Sequence, residues 1–279
     1  MRKSGSSKYL RWDFVLACIL AVITLFPLYW MLVTSLRHET QTTVWPPEFW
    51  PKDLTFENYR AILANTVDTP VLRWFVNSLI AATCFSLLSV AVCSLAAYAL
   101  ASFDFPGKNL YFGILISSMV VPGIVYLIPN YLTVDRLGWV DTYKALILPG
   151  LASVTGVFLL RQFILSIPRS LQEAARIDGA SRFWVYCRIV LPLSKPALLT
   201  YGLMGFLYNW NDYLWALIVM YSPEMRTLPV GILTLQGRYV HYYGKMMAGA
   251  FLTALPAIIL FLIIQRHFVK GIVLTGMKS

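Results

Sequence analysis

The 279-residue sequence is 58% hydrophobic and only 13% charged, a composition that excludes an ordinary soluble domain and indicates a membrane protein with several spans. Its net charge of +10 does not indicate nucleic-acid binding, because the basic residues flank apolar runs, where anionic lipid headgroups attract them. The four cysteines show neither a disulfide framework nor metal-ligand spacing.

Six apolar runs predict an all-α polytopic membrane bundle with six transmembrane helices. Each run reaches roughly the 20 residues that a helix needs to cross a bilayer. The first run follows a basic segment but has no small-residue cleavage site at its end, so we expect an uncleaved span and not a signal peptide. The predicted spans lie at about residues 12–33, 74–101, 110–132, 145–165, 197–220 and 246–264.

The polar connections are too short to form a separate soluble domain, so we expect one transmembrane domain over residues 1–279. The connection at 34–73 contains WPPEFWP, which is typical of a path along the membrane interface, and Thr55 is placed to cap a short helix that reaches Leu63. Pro122 and Pro129 interrupt the third apolar run.

The basic residues predict the orientation of the chain. Most of the 23 lysines and arginines lie in the amino terminus, the turn at 103–108, the stretch at 161–195 and the tail. By the positive-inside rule these segments are cytoplasmic, so both termini face the cytosol. We expect the segment at 221–245 to be external.

The cytoplasmic stretch 168–196 predicts two short helices joined at a glycine. Ser170 and Glu173 form a capping-box pattern, so we expect the first helix to begin at Ser170. Gly179 can take the left-handed conformation that ends a helix, and Ser181 is placed to cap the next one.

The second short helix should end at Pro192, and Pro196 should open the fifth span from its first turn. Both helices have only two or three turns and are too short to be stable without a partner. The second helix carries an apolar stripe at helical spacing, formed by Phe183, Tyr186, Cys187, Val190 and Leu191.

Asp212 is the one carboxylate predicted to lie well inside a span, and ionisable groups at such depth usually face a bundle interior or a watery path. Asn209 and Asn211 are its polar neighbours, so these three residues are candidates for a translocation pathway. Aromatic rings beside amides suit a sugar, which offers both hydroxyls and apolar faces. The alternative is that the fifth span ends earlier and Asp212 lies near the outer interface.

The sequence shows no enzyme site. It has no GxxxxGK[ST] phosphate loop and no clustered nucleophile, base or metal ligands. His38, His241 and His267 lack ligand spacing, and we expect them to face solvent or headgroups. We therefore predict a non-catalytic chain with no metal and no directly bound cofactor.

The segment EAA at 173–175 followed by DGA at 178–180 resembles the EAA loop of ATP-binding-cassette importer permeases. Other segments resemble the carbohydrate branch, the six-span maltose-system permeases, so the likeness covers nearly the whole length. Ala216 departs from that branch, in which a proline is expected. The further similar segments are 54–59, 77–79, 103–108, 210–215, 265–266 and 270–271.

The resemblance implies a MetI-like permease fold and one membrane subunit of an ATP-driven importer of a sugar or oligosaccharide, in a bacterial or archaeal plasma membrane. It implies a second permease, an extracytoplasmic solute-binding protein, and two ATPase subunits that use ATP and Mg²⁺. The ATPase-coupling residues that it implies are Glu173, Ala174, Ala175, Asp178, Gly179, Ala180, Phe183 and Pro192.

An ion-coupled secondary transporter is the main alternative. Such a transporter needs carboxylates within its spans and often has paired halves with broken helices. Only Asp212 offers such a carboxylate, and no paired halves are visible in the sequence.

Overall fold

The computed structural model describes residues 6–51, 53–64, 69–234 and 242–276, and within these ranges every regular element is a helix, as predicted. The described chain divides into two compact units. One contains the chain up to Val71 together with Gly231–Leu255, and the other contains Leu72–Val230 and the chain from Pro256.

Fourteen α-helices follow one another in the described residues. They are α1 (Ser6–Ser35), α2 (Glu57–Ala64), α3 (Val71–Ser102), α4 (Lys108–Ser117), α5 (Leu127–Arg136), α6 (Tyr143–Ile147), α7 (Val154–Leu165), α8 (Arg169–Ile177), α9 (Arg182–Val185), α10 (Leu191–Leu193), α11 (Lys195–Trp210), α12 (Leu214–Val219), α13 (Leu228–Thr234) and α14 (Tyr243–Gly276).

Three described helices are long and apolar enough to cross a membrane, namely Trp12–Ser35 within α1, the whole of α3, and Tyr243–Ile263 within α14. Two further apolar segments are pairs of helices bent by 92° and 80°, and α7 is a shorter apolar helix of 12 residues. These six segments follow the order of the six predicted spans. The count of six crossings stays a prediction.

The third apolar run is not one straight helix. Helix α4 ends at Ser117, and a short 3-10 turn leads to Val121, which is extended ahead of Pro122. A residue before proline avoids the helical region for steric reasons, and the chain turns by 92° here. Pro129, in contrast, lies in the first turn of α5, where a missing N–H is tolerated.

The fourth predicted span is also interrupted. Helix α6 ends at Ile147, and Gly150 has a φ of +82° in the connection to α7. The Ser153 side chain caps α7 by accepting from the Gly156 N–H. In the irregular connection, the Ser89 hydroxyl donates to the Leu151 carbonyl at 2.8 Å. A side chain of α3 therefore bonds a carbonyl that would have accepted a backbone N–H if the chain were helical here.

Buried polar contacts hold α3 against the helices that follow it. The Tyr201 hydroxyl lies 2.7 Å from the Ser89 hydroxyl, and the Tyr186 hydroxyl lies 2.7 Å from that of Ser94. The Ser86 hydroxyl donates to the Gly202 carbonyl at 2.6 Å.

Asn77 fixes the start of the segment predicted to be external. Its amide donates to the carbonyls of Glu224 and Arg226 at 2.7 and 2.9 Å, and its side-chain oxygen accepts from the Tyr143 hydroxyl at 2.6 Å. The Asn77 side chain is fully buried, so one residue of the similar segment 77–79 has a clear structural role.

In the other unit, the connection after α1 folds back on itself. The Asn58 amide donates to the carbonyls of Ser35 and Arg37 at 2.9 and 2.7 Å, and the Thr55 hydroxyl accepts from the first N–H of α2. Burial raises the pKa of Tyr59, and its hydrogen bond with Ser35 partly offsets this. The predicted short helix capped by Thr55 is therefore present as α2.

Several predicted features have no outcome here. His241 lies outside the described residues, and the segments 265–266 and 270–271 and His267 are described only as backbone of α14, without their side chains. His38 is described, and its Nδ1 lies 3.1 Å from the Glu57 carboxylate on a partly exposed surface.

Candidate functional site

Helix α8, the first helix of the stretch 168–196, begins at Arg169 with Pro168 at its N-cap. No side chain caps it, so the predicted capping box of Ser170 and Glu173 is wrong. The reason is that the proline ring holds φ of Pro168 at −55°, which lets the helix start directly after it, with Ser170 already inside the first turn.

Gly179 ends α8 as predicted, with a φ of +87°. The Gly179 N–H donates to the Arg176 carbonyl at 3.1 Å, and the Ala180 N–H donates to the Ala175 carbonyl at 2.9 Å. This pair of bonds is the Schellman arrangement, which satisfies carbonyls at a helix end and favours glycine at the left-handed position. The joint between the two short helices is therefore a defined turn.

The second short helix begins as predicted, because the Ser181 hydroxyl accepts from the Trp184 N–H at 3.2 Å. Its predicted end at Pro192 is wrong. A π-helical turn over residues 186–190 leads into α10, where Pro192 occupies the first turn, and the chain bends by 80° only before α11. The proline lacks an N–H, so it is tolerated at the start of a helical segment. Pro196 opens α11 as predicted.

The predicted stripe of the second helix is only partly buried. Tyr186 and Val190 are buried, whereas the Phe183 side chain is 67% exposed. Phe183 therefore does not pack into the bundle with the rest of the stripe, and its apolar surface is left open.

Five apolar side chains of α8 and α9 are exposed. Ile177 is the most exposed of them, at 87%. Larger exposed apolar patches on a protein surface mark interaction sites. The five are Leu171, Ala174, Ile177, Phe183 and Trp184, called the apolar loop residues below.

The predicted coupling residues divide into two groups. Ala175 and Ala180 are half-buried and pack against the core cluster that contains Leu160 and Val185, which ties the loop to the bundle. The other six are exposed, namely Glu173, Ala174, Asp178, Gly179, Phe183 and Pro192.

Asp212 lies in a break between α11 and α12. Helix α11 ends at Trp210, as the alternative interpretation of the fifth span required. One oxygen of the Asp212 carboxylate accepts from the Trp215 N–H at 3.2 Å, which caps the next helix. The side chain is half-buried, and it lines a cavity.

This cavity has a volume of about 220 Å³, and three helix breaks meet at it. Gly123 comes from the bend after α4, Gly150 from the break before α7, and Asp212 from the break after α11. Irregular backbone within an apolar helical bundle is tolerated where it lines a polar or watery space. The convergence of three breaks therefore favours a pathway over simple packing.

Amides and aromatic rings share the cavity wall. Asn130, Asn209, Tyr208 and Trp215 all line it with Asp212. The Asn209 amide donates to the Leu146 carbonyl at 2.9 Å, which holds the side chain in place. Such a wall can hydrogen-bond hydroxyl groups and cover apolar C–H faces.

The structure brings together two of the three predicted pathway residues. Asn211 is exposed, its amide donates to the Leu207 carbonyl of its own helix, and it does not line this cavity. It lines instead a separate, open cavity of about 770 Å³ that Tyr208 and Asp212 also border. Asn130 was missed, although it is a polar amide directly after Pro129 in an apolar run. The same signal drew attention to Asp212.

Asp212→Asn is expected to reduce uptake while leaving the subunit folded, since asparagine can still cap α12. Losing a charge-assisted hydrogen bond costs about 1.5–3 kcal/mol, so uptake at limiting solute should fall by roughly tenfold to a hundredfold. Transport by reconstituted vesicles measures this.

Asn211→Ala is the matched control for this prediction. Its amide hydrogen-bonds only within its own helix among the described residues, and it does not line the cavity of about 220 Å³, so uptake should match that of the unmodified chain. Unchanged uptake in Asp212→Asn, or an equal loss in Asn211→Ala, would contradict the assignment of the cavity to the pathway.

Comparisons with known proteins agree with the resemblance. The family model "Binding-protein-dependent transport system inner membrane component" matches residues 89–273. An arabinooligosaccharides transport system permease protein of Halalkalibacterium halodurans is 34% identical over 99% of this chain and 100% of its own length. The sn-glycerol-3-phosphate transport system permease protein of Escherichia coli O1:K1 is 36% identical over 90% of this chain and 91% of its own.

Solved structures share the fold. A chain in the crystal structure of a bacterial ABC transporter involved in the import of the acidic polysaccharide alginate superposes with a TM-score of 0.84 at 23% identity, covering 96% of this chain and 99% of that one. A bacterial alginate ABC transporter in complex with an alginate pentasaccharide-bound periplasmic protein gives a TM-score of 0.63 at 16% identity, covering 92% and 94%.

Proposed function

The chain belongs to the family of binding-protein-dependent transport system inner membrane components, and on that premise we propose that it forms half of the pathway of an ATP-driven importer for a sugar or oligosaccharide. It is a non-catalytic membrane subunit with the MetI-like permease fold. Membership of this family removes the ion-coupled secondary transporter as an alternative.

The apolar loop residues carry the proposal. Two short helices, joined by a defined glycine turn, present exposed apolar side chains beside Glu173 and Asp178. This surface docks into a groove of a separate ATPase subunit, in the manner of a helix bound in a groove. ATP and Mg²⁺ are used by two such partners, since this sequence has no phosphate loop of its own.

The loop also has the contacts needed to pass movement to the bundle. Ala175 and Ala180 pack against the core cluster formed with α3 and α7. When the two ATPases close on ATP, the docked helices move as a rigid body, and the bundle changes from inward-open to outward-open. The membrane is a bacterial or archaeal plasma membrane, with both termini on the cytosolic side.

The cavity at Asp212 provides this subunit's contribution to solute contact. Its volume of about 220 Å³ suits one portion of a longer solute, and a second, similar permease supplies the facing wall. An extracytoplasmic solute-binding protein delivers the sugar from outside. The similarity to permeases for arabinooligosaccharides and sn-glycerol 3-phosphate supports oligosaccharides and polyol phosphates as the solutes to test first.

Co-purification of the complex tests this function. We expect the chain to bring with it a second permease and an ATPase, and we expect ATP hydrolysis to rise when a solute-loaded binding protein is added. The panel should contain arabinooligosaccharides, glycerol 3-phosphate and alginate oligosaccharides. Uptake driven by an ion gradient without ATP would contradict the proposal.

A further inference from the structure

We propose that the stretch 168–196, called the coupling loop below, holds a site for the phosphate group of an anionic phospholipid on the side that faces α3 and α7. This inference rests on the proposed function for its cytosolic location. The site consists of two adjoining cavities of about 470 and 110 Å³, both lined by Asp104 and Arg169, called the basic cleft below. It lies between α8 and the turn after α3.

The basic cleft is strongly cationic. Its lining contains five basic side chains and two carboxylates, so an excess of positive charge converges on one polar space. Arginine side chains bind phosphate oxygens through paired N–H groups. The basic residues are Lys108, Arg161, Arg169, Arg176 and Arg182.

Two of these cations are held in place by the end of α3. The Lys108 ammonium donates to the Phe103 carbonyl at 2.7 Å and lies 3.6 Å from the exposed Asp104 carboxylate, and the Lys108 side chain is only 13% exposed. The Arg161 Nε donates to the Leu100 carbonyl at 3.3 Å, and its guanidinium lies 4.0 Å from the centre of the Phe112 ring. A ligand therefore meets cations that are already positioned.

Other polar groups of the cleft are left without partners. The Ser102 hydroxyl is buried and unpaired within the described chain, and buried polar groups normally have partners. Gln172, which is only 9% exposed, lines the same smaller cavity. The exposed side chains of Arg169 and Arg176 form no ion pair with a described carboxylate. An anionic ligand would give these polar groups a partner.

The larger cavity adjoins apolar surface, which favours a lipid as the source of the phosphate. Leu110 is 71% exposed and Leu165 is 42% exposed, and both line this cavity with Lys108 and Arg161. A phospholipid combines an anionic headgroup with acyl chains that cover such side chains. Basic pockets on the cytosolic side of membrane helices bind anionic headgroups of this kind.

Native mass spectrometry of the full chain, with phosphatidylglycerol and phosphatidylcholine supplied together, tests the site. We expect retained phosphatidylglycerol in the unmodified chain and about tenfold weaker retention in Arg169→Gln, which is the size of one lost charge-assisted hydrogen bond. Arg169 is exposed and lines both cavities, so this variant should fold normally. Arg169→Lys should give intermediate retention, because lysine keeps the positive charge but not the paired N–H groups.

Arg188→Gln is the matched control, because this exposed arginine of the same stretch lines neither cavity. Equal retention by the Arg169 and Arg188 variants would overturn the proposal, as would equal retention of phosphatidylcholine. Displacement of the lipid by millimolar inorganic phosphate would identify a soluble anion and overturn the lipid assignment. Because binding is read without transport, failure here is distinguishable from failure of the importer function.

Discussion

Ile177→Asp is expected to leave the subunit in the membrane and to abolish both solute-stimulated ATP hydrolysis and uptake. The Ile177 side chain is 87% exposed, so the change costs the isolated subunit little. In the docked complex it places an unpaired charge in an apolar groove. A change of this kind at the centre of an interface costs about 2–4 kcal/mol, which weakens assembly by roughly thirtyfold to a thousandfold.

Ile177→Val is the control for this prediction, since valine keeps an apolar side chain at the same place. It should retain most of the ATPase that co-purifies with the chain and most of the uptake. The amount of subunit in the membrane fraction must be equal for both variants. Normal ATPase recovery and uptake in Ile177→Asp would show that the apolar loop residues do not form the docking surface.

The coupling loop shows which local features a sequence reveals. Gly179 and Ser181 were predicted correctly, because a left-handed turn and a hydroxyl cap depend on a few neighbouring residues. The capping box failed at Ser170 because Pro168 starts the helix one residue earlier. The predicted end at Pro192 was passed by one residue, because Pro192 lies in the first turn of α10 and the helical segment ends at Leu193.

The apolar runs predicted which segments form apolar helices, in the correct order, but not their continuity. Hydropathy averages over many residues, so it cannot show that the third run turns before Gly123 or that Asp212 follows the end of α11. Such breaks depend on partners elsewhere in the chain. The hydrogen bond from the Ser89 hydroxyl to the Leu151 carbonyl is one example. The two residues are 62 positions apart, so a local sequence pattern cannot reveal their contact.

Only some of the residues that line the candidate cavity could be predicted, because the sequence does not show where the helices break. Asp212 and Asn209 stood out because they are polar within an apolar run. Their neighbour Asn130 reaches the same cavity only because α5 follows the 92° bend. Conversely, Asn211 looked equivalent to Asn209 in the sequence, but the helix places the two side chains in different surroundings.

Among the described glycines, Gly156 lies at the closest contact between two helices, and a single added methyl group would disrupt that contact. A Cβ atom added at Gly156 would overlap the Tyr201 ring, with Cε2 only 2.6 Å away. That ring is 5% exposed, and its hydroxyl is held 2.7 Å from the Ser89 hydroxyl, so it cannot move aside without losing a buried hydrogen bond. Glycine is therefore required at position 156 because there is no room for a Cβ atom, and not because of the backbone conformation.

Gly156→Ala is expected to destabilise the subunit by about 3 kcal/mol, the upper range for overpacking a core, and to lower its melting temperature in detergent. Gly113→Ala is the control, since no atom lies within 4 Å of its added Cβ in α4, and alanine there should stabilise by about 0.5–1 kcal/mol. In a Tyr201→Ala background, Gly156→Ala should cost almost nothing, because the overlapping ring is gone. The same cost in both backgrounds would show that Tyr201 is not the cause.

This contact also links the fold to function. Gly156 and Tyr201 hold α7 and α11 together, and α11 leads directly to Asp212 at the cavity.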